Sequence, residues 1–91
     1  MNLKTMGLAG TLESSDILIT LSPKEKGVGR IVELASPVKQ QFGEQIVSTI
    51  NDVLDKYDIE DVLVSVRDRG ALDFTVRART ETAIQRSIKG A

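Results

Sequence analysis

The stretch Asp61-Val62-Leu63-Val64-Ser65-Val66-Arg67-Asp68-Arg69-Gly70-Ala71-Leu72-Asp73-Phe74-Thr75-Val76-Arg77-Ala78 decides how this chain is read. Val62, Val64 and Val66 alternate with Leu63, Ser65 and Arg67, the period of two that sends successive side chains to opposite faces of a strand. Asp68-Arg69-Gly70 carries turn chemistry, with glycine supplying a left-handed position. Beyond it Leu72, Phe74, Val76 and Ala78 alternate with Asp73, Thr75 and Arg77. The pattern predicts a hairpin with one apolar and one polar face. An apolar sheet face needs helices to cover it, which points to an α+β domain.

Upstream, Ser36-Pro37 is a helix-start signal, serine as N-cap and proline at the first helical position. Val38, Phe42, Ile46, Ile50, Val53, Leu54 and Tyr57 then recur at three- and four-residue steps, predicting a long amphipathic helix. Before it, residues 16–22 place Ile17, Ile19 and Leu21 on one face, and Pro23 closes the run. Lys24-Glu25-Lys26-Gly27-Val28-Gly29 reads as the loop of a first hairpin whose second strand, Arg30 to Ser36, carries Val32 and Leu34. Downstream, Ala83, Ile84 and Ile88 predict a short helix between Thr80 and Lys89. The expected architecture is a two-layer α+β sandwich of order ββαββα, with an antiparallel four-stranded sheet, one long helix and one short one. Residues 1–15, small and polar with scattered Leu3, Leu8 and Leu12, are expected to form a flexible arm. Residues 16–91 are expected to form a single domain.

Composition narrows the function. The chain has 91 residues, 41% of them apolar and 27% charged, as in an ordinary globular domain. Its 12 basic and 13 acidic side chains leave a net charge of −1, too little positive field to collect a nucleic acid. Phe42, Tyr57 and Phe74 are the only aromatic residues, and none lies in a basic cluster suited to stacking bases. No apolar run is long enough to span a membrane or to serve as a secretory signal, so a cytoplasmic location is expected. The acidic run Asp52, Asp55, Asp58, Glu60 and Asp61 lacks the glycine and closing glutamate of an oxygen-ligand loop, and no metal site is expected. There is no cysteine and no histidine, which removes thiolate chemistry and the commonest general base. No catalytic residue is expected. A protein so built would have to import a reactive group, and a serine hydroxyl on an exposed segment is a suitable anchor.

Such a segment is Ala9-Gly10-Thr11-Leu12-Glu13-Ser14-Ser15-Asp16. It resembles the prosthetic-group attachment site of the citrate lyase acyl carrier (gamma subunit) family. Val38-Lys39-Gln40-Gln41-Phe42-Gly43, Asp68-Arg69-Gly70-Ala71-Leu72 and Arg77-Ala78-Arg79 resemble the same family, in its order and at about its spacing. On local chemistry Ser14 and Ser15 both qualify as the anchor. The resemblance implies Ser14, the serine directly after Glu13, joined through a phosphodiester to phosphoribosyl-dephospho-CoA, whose thiol carries acetyl and citryl groups. It also implies the partners: the alpha and beta catalytic subunits of citrate lyase, a transferase that attaches the group and a ligase that acetylates it.

Four more residues are candidates for recognition. Glu13 and Asp16 flank the serine and could pair with basic groups on a partner or help hold a metal during attachment. Arg77 and Arg79, two apart, would share a face if one strand ran through both, and their guanidinium forks could then hold a phosphate. The alternative reading is a small α+β regulatory or protein-interaction domain with no covalent cofactor. A stand-alone hydrolase using Ser14 with Glu13 or Asp16 is less apt, because adjacent residues cannot easily orient a base onto the serine.

Overall fold

A computed structural model describes residues 3–89; the ends of the expected arm and domain, residues 1, 2, 90 and 91, lie outside the described residues. The elements are β1 (Gly7–Ala9), β2 (Ile17–Pro23), β3 (Arg30–Ala35), α1 (Lys39–Lys56), β4 (Val62–Asp68) and α2 (Asp73–Lys89). The four strands form one mixed sheet in the order β1-β2-β4-β3. β1 and β4 both run antiparallel to β2, whereas β3 and β4 are parallel.

This overturns the expected all-antiparallel sheet of order ββαββα, although the α+β class holds. β2 and β3 are not hairpin partners, because β4 lies between them. Parallel neighbours need a crossover of a dozen or more residues, and α1 supplies it between β3 and β4. The second expected hairpin is absent. Residues 73–78 begin α2, a 17-residue helix nearly as long as the 18-residue α1, so the expected short helix is the second part of a long one. The fourth strand is instead β1, within the segment expected to be an arm.

Burial explains why α2 is helical. Its buried residues are Val76, Thr80, Ala83, Ile84 and Ser87, a stripe at helical spacing made largely of small or hydroxyl side chains. The Thr80 and Ser87 hydroxyls donate to the Val76 and Ala83 carbonyls at 2.7 and 2.8 Å, so neither is left unpaired in the core. Leu72 and Phe74, half of the apparent strand face, are 61% and 69% exposed. The alternation that suggested a strand is thus not the pattern that is buried.

Both helices cover one sheet face. Ile17, Ile19 and Leu21 of β2 and Val62, Val64 and Val66 of β4 meet Ile46, Ile50, Val53 and Leu54 of α1 and Val76, Ala83 and Ile84 of α2. Each fully buried side chain of this kind contributes about 1.5–3 kcal/mol of transfer free energy. β1 lies close against α2: a Cβ on Gly7 would come within 2.5 Å of the Ala83 carbonyl oxygen, so only glycine fits. The helix start also differs in detail. α1 begins at Lys39, and the Ser36 hydroxyl accepts the Val38 N–H at 3.2 Å while donating to buried Asp68 at 2.7 Å. Asp68 also accepts the Ala71 N–H at 2.9 Å, joining the turn before α1 to the turn before α2.

Candidate functional site

Residues 10–16 connect the antiparallel neighbours β1 and β2. Their tip is a turn, with the Asp16 N–H donating to the Glu13 carbonyl at 3.1 Å. Ser15, its third residue, has φ 64°, whereas Ser14 is not in the positive-φ region. That is the pattern of a type II turn, which requires a left-handed residue at its third position. Ser14 therefore occupies the outer corner, is exposed, and its hydroxyl has no hydrogen-bond partner among the described residues.

The backbone around Ser14 is held from several sides. The Ser15 N–H donates to the Arg69 carbonyl at 2.8 Å and the Arg69 N–H to the Asp16 carbonyl at 2.9 Å, continuing the β2–β4 ladder past Ile17 and Asp68. The Arg69 Nη1 donates to the Leu12 carbonyl at 3.0 Å. Arg79, on α2, forms a two-pronged pair with Asp16: its Nε and Nη2 donate to the two carboxylate oxygens, each at 3.0 Å. The Thr11 hydroxyl and the Ile17 N–H also donate to that carboxylate, at 2.8 and 2.7 Å. Chiefly because of the Arg79 hydrogen bond, and against the opposing effect of burial, the Asp16 carboxyl is held at about 2, well below its ordinary 3.8.

The five candidate residues therefore separate. Asp16 and Arg79 come together and satisfy each other, 63 residues apart in sequence. Glu13 is exposed, and its carboxylate has no partner among the described residues. Arg77 and Arg79 do not share a face, because the strand they would need is a helix in which two residues are about 200° apart. Arg77 instead pairs with Asp73 at 3.0 Å and Asp52 at 3.7 Å. The Thr49 hydroxyl, first, and then Arg77 hold the Asp73 carboxyl below its ordinary value. Arg69 and Thr11 were not singled out from the sequence. Only the position of Arg69 inside the Asp68-Arg69-Gly70-Ala71-Leu72 motif could have drawn attention to it.

Chemically, the turn presents an unpaired hydroxyl rather than an activated nucleophile. No side chain among the described residues hydrogen-bonds to Ser14 as a base, and the chain contains no histidine. The turn does fit a phosphodiester-linked group. The negative charge of Asp16 is matched by Arg79, and Arg69 lies on the other side of the turn. Of the acidic residues after position 50, Asp55 and Glu60 share Arg30, Asp52 meets Arg77 and Asp61 accepts the Gly27 and Gly29 N–H groups, and no three of the described His, Cys, Asp or Glu residues converge as metal ligands. No helix among the described residues is long and apolar enough to cross a membrane.

Comparison with known proteins assigns this arrangement to a class. The acyl carrier family described as malonate decarboxylase delta subunit (MdcD) matches residues 4–87. A chain from the crystal structure of a Pseudomonas malonate decarboxylase hetero-tetramer in complex with malonate has the same fold, with a TM-score of 0.76 over 93% of this chain and 86% of that one, at 20% identity. Closer in sequence, the citrate lyase acyl carrier protein of Halothermothrix orenii is 43% identical over 91 residues, covering all of this chain and 95% of the relative. That of Oenococcus oeni is 50% identical over 88 residues, 97% of this chain and 89% of the relative. That of Lacticaseibacillus casei strain BL23 is 52% identical over 87 residues, 96% of this chain and 84% of the relative. The chain belongs to the citrate lyase acyl carrier protein family. It is a carrier rather than a catalytic subunit.

Proposed function

We propose that Ser14 is the residue to which this carrier's prosthetic group is attached. The observation that carries the reading is the unpaired, exposed hydroxyl at the corner of a turn whose backbone is fixed on both sides. A transferase can approach such a hydroxyl without first breaking a hydrogen bond. The Ser15 hydroxyl is likewise exposed and without a hydrogen-bond partner among the described residues, so the choice of Ser14 rests on the family motif, in which the modified serine directly follows the residue matching Glu13.

The group is phosphoribosyl-dephospho-CoA, joined by a phosphodiester, and when bound it supplies the thiol on which acetyl and citryl thioesters are carried. The chain's own residues do three things. Ser14 provides the bond to the protein. Asp16, Arg79 and Arg69 keep the turn in one shape, so that the group leaves the surface from a defined point. Glu13, exposed beside the serine, gives the transferase or a catalytic subunit a charge to recognise. Tethering makes encounters with two active sites effectively intramolecular, at a concentration set by the length of the tether. The partners are the alpha and beta catalytic subunits of citrate lyase, the attaching transferase and the acetylating ligase, and the setting is the cytoplasm.

Co-expression with the attaching enzymes tests the assignment. Ser14→Ala should abolish the added mass and leave the fold intact, whereas Ser15→Gly, which suits the left-handed position, should still be loaded. Loading of Ser14→Ala at the normal rate would refute the assignment.

A further inference from the structure

Between the start of α1 and the turn leading into α2 lies a cleft of about 310 Å³, walled by Val38, Phe42, Ile46, Ala71, Leu72 and Val76. That volume is at the lower end of small-molecule sites, and the combination of apolar walls with a few polar groups is typical of them. Gln45 and Asp73 supply the polar groups, and the Gln45 amide has no partner among the described residues. Phe42 and Leu72 keep 49% and 61% of their surface in water, so the fold leaves apolar area uncovered here.

The cleft adjoins the serine turn. Gly70 lies on its rim, and the neighbouring Arg69 carbonyl accepts the Ser15 N–H at 2.8 Å. Through that bond, standard bond lengths place the Cα atoms of Ser14 and Gly70 at most about 10 Å apart. A group attached to Ser14 starts beside this cleft.

We propose that the cleft receives the thiol-bearing end of the group carried on Ser14, holding it against the carrier between visits to the catalytic subunits. This rests on Ser14 being the attachment residue. The chemistry matches: a pantetheine end offers methyl groups to the apolar walls and amides to Gln45. Strong affinity is unnecessary, because a tethered group is present at an effective concentration on the order of millimolar, and a millimolar site is then about half occupied. Occupancy of that size shields a thioester from water while leaving the arm free to depart.

The test uses carrier whose loading has been verified by intact mass, compared with unloaded carrier by amide NMR. The arm's thiol is also titrated with Ellman's reagent beside free pantetheine. Loading should shift the amides of Ala71, Leu72 and Val76, and the thiol should react at least about twofold more slowly than free pantetheine, as half occupancy requires. Both effects should vanish in the Phe42→Ala, Leu72→Ser double variant, whose substitutions fall on exposed side chains. Shifts confined to residues 11–16 and 69, with the thiol reacting at the free rate, would overturn the proposal. So would cleft amides that move only when a catalytic subunit is added, which would make this a protein-docking face. A chain that gains no mass removes the attachment reading itself, and the occupant with it.

Discussion

The serine turn and the loop of residues 24–29 stand at opposite ends of β2, one leading into Ile17 and the other leaving Pro23, and they are held in different ways. The serine turn is fixed by side chains from other elements: Arg69 after β4 reaches the Leu12 carbonyl, and Arg79 on α2 grips Asp16. In the 24–29 loop, by contrast, the groups that are held are mainly the loop's own amides. The Asp61 carboxylate accepts the Gly27 and Gly29 N–H groups at 3.0 and 2.9 Å, and ladder-like bonds join Lys24 to Asp61 and Val62 to Gly29. A connection needs only to satisfy its own amides. A turn that offers a hydroxyl to other proteins, the role proposed for Ser14, also has to hold it in place, and Arg69 and Arg79 fix this turn without touching the hydroxyl.

Substitutions in the two regions can break or sharpen this contrast. The largest effect on stability is expected from Gly10→Ala, at the base of the serine turn. Gly10 has φ +100°, and a Cβ there would collide with the Ile17 carbonyl. A loss of about 2–4 kcal/mol should appear in the denaturation midpoint. Next comes Arg79→Ala, which leaves the half-buried Asp16 carboxylate without its cation; about 1–3 kcal/mol should be lost and loading of Ser14 should slow. Arg79→Lys should recover only part of this, since an ammonium cannot bond both oxygens in the same fork.

The pair also predicts a pH dependence. Asp16 titrates lower in the folded chain than its ordinary 3.8, so its contribution is fully present above that ordinary range and is lost as pH falls through about 2. After solvent screening it is worth about 1–2 kcal/mol. Acid titration of stability between pH 5 and pH 2, values bracketing the two pKa limits, should therefore be shallower in Arg79→Ala than in the wild-type chain. The smallest effect is expected in the other loop. Asp61→Asn keeps an oxygen for the two glycine amides and suits the left-handed backbone at φ 58°, so loss of the charge alone should cost about 1 kcal/mol, with loading unchanged. If Asp61→Asn slowed loading as much as Arg79→Ala, the two loops would not differ in the way described.

The sequence showed most where burial and hydrophobicity coincide. β2, β3 and β4 lie within a residue of their expected spans and α1 begins two residues after Pro37, because Ile, Leu and Val carry the faces that pack into the core, partly buried in β3 and fully buried in β2 and β4. α2 was misread at its start because its buried stripe includes Thr80, Ala83 and Ser87, which carry little apolar signal, while the exposed Leu72 and Phe74 imitated a strand. β1 has only Gly7, Leu8 and Ala9, and is a strand because the edge of β2 offers it partners. Parallel pairing of β3 with β4 depends on how α1 crosses the sheet, which periodicity does not encode. At the site, Ser14 was reached through the family motif, and Asp16 and Arg79 were each singled out. That they bond to one another emerges only from the packing of α2 against β2.

The central claim is that a fixed turn presents Ser14 as the anchor of the prosthetic group. It is tested most directly by intact and peptide mass spectrometry on the protein purified from its native host growing anaerobically on citrate. The account predicts added mass matching phosphoribosyl-dephospho-CoA on the peptide containing Ser14, with fragmentation placing it on Ser14 rather than Ser15. An unmodified chain from cells with active citrate lyase, or a group found on Ser15, would contradict it.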